Sequence, residues 1–143
     1  MITFKLPVAP YWYYQVYIFK TKNQKCAFCK EFTKENGGPQ CRLPKSNRCK
    51  GVVRTAPTSK FPGRHGVIVF TQNSSKDIGL VTHELGHAIT FWWDDVVRKL
   101  KNYKNSRNEV WYTSRVNENF CFTLGEMAKQ YWLRHRRTYQ IHK

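Results

Sequence analysis

The 143-residue sequence predicts an α+β fold, with short antiparallel strands packed against two helices and a cysteine-rich loop inserted between the strands. Three observations carry that prediction. Aromatic and β-branched residues concentrate in two short stretches, 11–20 and 65–70, which is the composition of strands. Ile78, Leu80, Val81, Leu85, Ala88 and Ile89 supply the apolar face expected of a buried helix. Val116, Phe120, Leu124, Met127 and Tyr131 form a second helical stripe after a polar stretch at 102–108.

Taken in order, Tyr-Trp-Tyr-Tyr-Gln-Val-Tyr-Ile-Phe-Lys at 11–20 is the first expected strand. From Thr21 to Gly63 the chain is rich in Gly, Pro, Lys and Cys and loses periodicity, apart from the pair Val52-Val53. Residues 21–63 are therefore expected to form an inserted loop within a single domain spanning 1–143. His65-Gly66-Val67-Ile68-Val69-Phe70 follows as a buried strand. Ser74-Ser75-Lys76-Asp77 offers cap chemistry for a helix running from near Lys76 through Trp93 toward Lys101. Gly86 inside that helix costs about 1 kcal/mol against Ala, so it implies close approach by a strand or ligand. The second helix is expected from about Ser114 to Arg136, with Phe, Cys121 and Leu positions turned inward.

Composition narrows the function classes. A hydrophobic content of 41% with 15% aromatics excludes a disordered chain. No apolar run reaches the roughly 18 residues a membrane span requires, and the start lacks a signal-peptide pattern, so a cytoplasmic protein without a membrane partner is expected. The net charge is +16, from 25 Lys and Arg against nine Asp and Glu. Such a balance attracts polyanions, so non-specific nucleic-acid binding through a basic surface is an expected partnership. A merely solvated basic surface is the plainer alternative, because the charges are scattered over 20–34, 42–54, 98–104 and 134–143.

The chemistry-bearing motif is His83-Glu84-Leu85-Gly86-His87. Residues four apart on a helix share a face, so His83 and His87 can aim at one tetrahedral zinc ion. Glu84 lies about 100° around the axis, where it can act as general base on a metal-bound water. A catalytic zinc has three protein ligands, and the position where a third histidine would follow in the extended motif holds Trp93. His135 and His142 fall in a basic tail that reads as solvated. A carboxylate on the second helix remains, with Glu109, Glu118 and Glu126 as candidates, and Glu118 is preferred. Glu126 lies about 12 Å further along the same helix, so the two cannot share an ion.

His83 to His87, followed by Asn117-Glu118-x-x-Cys121-Phe122-x-x-Gly125, resembles the small zincin-like metallopeptidases of tailed bacteriophages, over roughly residues 66 to 132. The resemblance implies a minimal gluzincin-like core, with His83, His87 and Glu118 as metal ligands and Glu84 as base. It implies a zinc-dependent hydrolase, a metallopeptidase acting on a protein or peptide substrate. The chain departs from that pattern at Phe122, where many gluzincins carry an Asp that orients a metal histidine.

Cys26-x2-Cys29-x11-Cys41-x7-Cys49 lies in the expected loop. Four thiolates at such spacing could close a second, structural zinc site; disulfides and unliganded thiols are the alternatives. A histidine motif beside a cysteine module also resembles the SprT-like DNA-linked proteases, in which the module usually follows the catalytic helix. That implies the alternative function, a basic nucleic-acid-associated zinc protein. A non-catalytic binding or structural domain is the third reading.

Overall fold

Alternation along the strands decides which side chains meet which layer, and here both faces of the sheet are covered. The computed structural model describes residues 1–35, 51–55, 58–97 and 114–141. Strands β1 (Ile2–Pro7), β2 (Tyr13–Phe19), β3 (Val52–Arg54) and β4 (Arg64–Thr71) form one sheet in the order β1-β2-β4-β3. Helix α1 (Lys22–Glu35) follows β2, and α2 (Ile78–Trp92) and α3 (Ser114–Ile141) follow β4. A 3₁₀ turn at Ser74–Lys76 leads into α2, and a π turn at Trp93–Val97 follows it.

The sheet is mixed, which corrects the expectation of antiparallel strands. β1 pairs antiparallel with β2, and β3 antiparallel with β4, but β2 and β4 run parallel at its centre. The parallel pair is made possible by what lies between them, since parallel strands need a long crossover and α1 supplies it. Segment 21–63 is therefore no plain loop. Thr21-x-x-Gln24 is a capping box: Gln24 N–H donates to Thr21 Oγ1 at 3.2 Å, and Thr21 N–H to Gln24 Oε1 at 3.3 Å. That signal stood in the sequence and marks the start of α1. β1, too, was legible in the alternation that buries Ile2 and Leu6 and exposes Lys5.

On one face of the sheet, Phe19, Val53, Val67 and Val69 meet Cys29 and Phe32 of α1. On the other, Tyr14, Val16, Ile18, Ile68 and Phe70 meet Val81, Leu85, Ala88 and Ile89 of α2 and Met127 and Tyr131 of α3. Successive residues of β4 thus point into different cores, which is why 67–70 reads as an unbroken apolar run. Buried hydroxyls tie the layers together. Tyr14 donates to the Ala88 carbonyl at 2.7 Å, and Tyr131 to the Ser75 carbonyl at 2.8 Å.

Helix α2 starts where its cap chemistry predicts, with Asp77 accepting from Leu80 N–H at 3.1 Å. Ile78 and Leu80 do not join the core; they lie exposed in the first turn. α3 begins at the expected Ser114 and continues beyond Arg136 to Ile141. Its inward stripe holds Phe120, Leu124, Met127 and Tyr131, while Cys121 and Phe122 face solvent, Phe122 at 72% exposure. The inward placement expected of Cys121 is thereby corrected.

Candidate functional site

The helical spacing of α2 brings His83 and His87 together on its exposed face, their Nε2 atoms 3.0 Å apart and their rings nearly perpendicular. Phe91, four residues further, stacks against His87 at 5.9 Å between centroids. The Arg54 guanidinium lies 4.4 Å from the centre of the Phe91 ring, and its Nη1 is 3.3 Å from Asp95 Oδ1. The ridge therefore runs from the histidine pair through an aromatic ring to an ion pair joining β3 to the π turn.

Glu84 is half-buried beside Gly51, just before β3. A Cβ on Gly51 would fall 2.2 Å from Glu84 Cδ, so a larger residue there would displace the Glu84 carboxylate. Gly86, by contrast, has nothing within 4 Å of where its Cβ would sit. The close contact expected at Gly86 is absent, and the motif's crowded position is Glu84.

Two histidine nitrogens are one short of the three protein donors of a catalytic zinc. Among the described residues, no group of three or more His, Cys, Asp or Glu gathers so as to hold a metal ion. Glu118 falls in the first turns of α3, and its side chain lies outside the described residues. Among the other described carboxylates, Asp77 caps α2, Asp95 pairs with Arg54 and His65, and Glu126 lines a groove beside Pro7–Pro10. The described residues by themselves do not assemble the donor set of a catalytic zinc. The assignments as zincin-like metallopeptidase and zinc-dependent hydrolase are corrected on this ground; Glu118, the expected third ligand beside His83 and His87 with Glu84 as base, has its side chain outside the described residues.

The expected structural zinc site is corrected as well. Cys26 is disulfide-bonded, which removes the thiolate a metal would need. Cys29 is buried in the core beneath α1. Cys41 and Cys49 lie outside the described residues.

Two histidines are buried where the sequence offered no role for them. His65, 4% exposed, opens β4 between the rings of Trp12 and Tyr14, and its Nε2 lies 3.0 Å from Asp95 Oδ2. Burial pushes its pKa down, against the opposing pull of the Asp95 hydrogen bond and charge. The same burial, with Asp95 nearby, pushes the Tyr14 hydroxyl up. One hint was available: Asp94 and Asp95 are adjacent in a chain with nine acidic residues.

His135 is the other, and it corrects the expectation of a solvated tail. It is buried against Tyr131 and Tyr139, with Nε2 3.2 Å from Ser75 Oγ. Ser75 Oγ gives its own proton to the Gln72 carbonyl at 2.8 Å, so the imidazole must be the donor. Burial lowers the His135 pKa, and Lys76 lowers it further. This arrangement anchors α3; it does not activate Ser75, which is fully buried.

A further surface feature is the cationic side chains carried on ordered helices. Lys22, Lys30 and Lys34 of α1 and Lys129, Arg136 and Arg137 of α3 are all exposed. Among the described residues, no helix is long and apolar enough to cross a membrane. Comparison with protein-family models, with curated proteins and with solved structures gives no match. The resemblance to phage zincin-like peptidases therefore has neither a matching family nor a metal-holding cluster among the described residues to support it.

Proposed function

We propose that this protein binds nucleic acid through its phosphate backbone, with affinity set by charge rather than base sequence. The observation that carries this reading is the net charge of +16. A cationic surface gains free energy on a polyanion by releasing condensed counterions, independently of sequence. Side chains mounted on helices lose less freedom on binding than those on unstructured chain, because the backbone is already ordered. Part of the aromatic content is accounted for by packing, since Tyr14, Phe70 and Tyr131 are spent on the core.

Titration of a fluorescent duplex oligonucleotide at several salt concentrations tests the proposal. Log affinity is expected to fall linearly with log salt, at a slope near −0.9 per phosphate neutralised, and a scrambled duplex should bind equally. Absence of binding at about 50 mM salt with micromolar protein would refute it, because that regime exposes even weak electrostatic association.

A further inference from the structure

We infer that the C-terminal half of α3 is the surface that docks on nucleic acid, and that it takes the backbone of a duplex. The inference rests on the polyanion-binding reading above and assigns it to one face of one helix.

Charge composition separates this segment from the other basic helix. From Met127 to Ile141 the chain carries Lys129, Arg134, Arg136 and Arg137 and no Asp or Glu. α1 interleaves Glu31 and Glu35 with its lysines, so its field is partly cancelled. Arginine also suits the phosphate oxygens, because its planar fork can donate two parallel hydrogen bonds.

Helical geometry then gathers the charge. Lys129 and Arg136 stand seven residues apart on one side of the helix, about 10 Å along the axis, and Arg137 lies about 100° round from Arg136. All three are exposed, whereas Met127, Tyr131 and His135 turn into the protein and hold the helix down. Lys76 adds a flanking cation, its ammonium 5.3 Å from the centre of the Tyr139 ring. Arg134 is bonded to Gln130, one turn back.

The choice of duplex follows from where the rings point. Unpaired bases are bound by stacking on exposed aromatic side chains. Here Tyr131 is buried, and Trp132 and Tyr139 are packed against the core. With Tyr131 buried and Trp132 and Tyr139 partly covered, this face offers more charge than ring surface, which suits paired strands whose bases are already stacked.

The decisive experiment compares two triple variants with the parent protein, each checked for an unchanged thermal melt. One is Lys129→Gln, Arg136→Gln, Arg137→Gln on α3; the other is Lys22→Gln, Lys30→Gln, Lys34→Gln on α1. The α3 variant is expected to lose about 2 to 3 from the magnitude of the salt slope and at least about tenfold in duplex affinity at low salt. The α1 variant should retain most of both. Equal loss in the two variants would overturn the inference, as would parent protein that prefers single strands over duplex. Loss of binding to anionic lipid vesicles in the α3 variant, with duplex binding intact, would overturn it too. A parent protein that binds no duplex sinks the functional proposal itself, a result distinct from loss through the wrong helix. If the α3 triple variant melts early, Arg136→Gln and Lys129→Gln taken singly should each lower the slope by about 1.

Discussion

At His65 and His135 burial acts on the imidazole in the same direction. Both are held neutral because the protein interior penalises the charged imidazole, so each folded pKa lies below the ordinary value. Above about pH 6.5 folded and unfolded chains are both neutral at these sites, and stability is fully present. As the pH falls below that, the unfolded chain takes up protons first, and stability is lost progressively toward the folded pKa values. The melting temperature is therefore expected to drop between pH 7 and pH 5. His135→Gln should flatten part of that drop; an unchanged pH profile in this variant would show that His135 does not contribute. The glycines, by contrast, differ in their surroundings. Gly86→Ala meets open space in a helix interior and should stabilise by about 0.5 to 1 kcal/mol. Gly66→Ala would place a Cβ 2.2 Å from the Val53 carbonyl oxygen, so β3 must move and the variant should be destabilised in a denaturant titration.

Among the elements, α2 is positioned by contacts that its own motif does not contain. Leu85 lies in the middle of the His-Glu-x-x-His run and is fully buried against the sheet. Leu85→Ala should cost about 2 to 5 kcal/mol, read from the midpoint of chemical unfolding, because the cavity left between helix and sheet cannot close fully. Tyr14→Phe should cost about 1 to 3 kcal/mol, since the Ala88 carbonyl would lose its buried donor. A smaller effect would mean that water replaces the hydroxyl. The elements also show what a motif scan overlooks. α1 was obscured by the Gly and Pro that follow it, although its capping box and its apolar Phe28 and Phe32 were present throughout. The apolar periodicity of α2 and α3 was strong enough to place both, because each buries a stripe against a continuous core.

For the whole molecule, the charge excess carries a cost in stability. Cations spread over α1, α3 and the loops repel one another in the compact state, and this repulsion is screened by salt. Raising NaCl from about 10 to about 150 mM should increase the melting temperature, since the screening length falls from about 30 Å to about 8 Å. A flat response would place the charges far enough apart to be independent. The same salt is expected to weaken the proposed binding to nucleic acid, so stability and affinity should move in opposite directions as ionic strength rises.

The sequence by itself determined the helical pairing of His83 with His87, a strand within 11–20, a buried strand at 65–70, and the cationic balance, because each depends on local periodicity or simple composition. Tertiary structure alone decided the rest. The parallel pairing of β2 with β4, the approach of Gly51 to Glu84, and the burial of His65 and His135 all join residues distant in the chain. So does any third donor to a histidine pair. Spacing along one helix can bring two nitrogens within 3.0 Å. Whether a further side chain completes such a site depends on how separate elements pack, and among the described residues that packing brings no third donor to the pair.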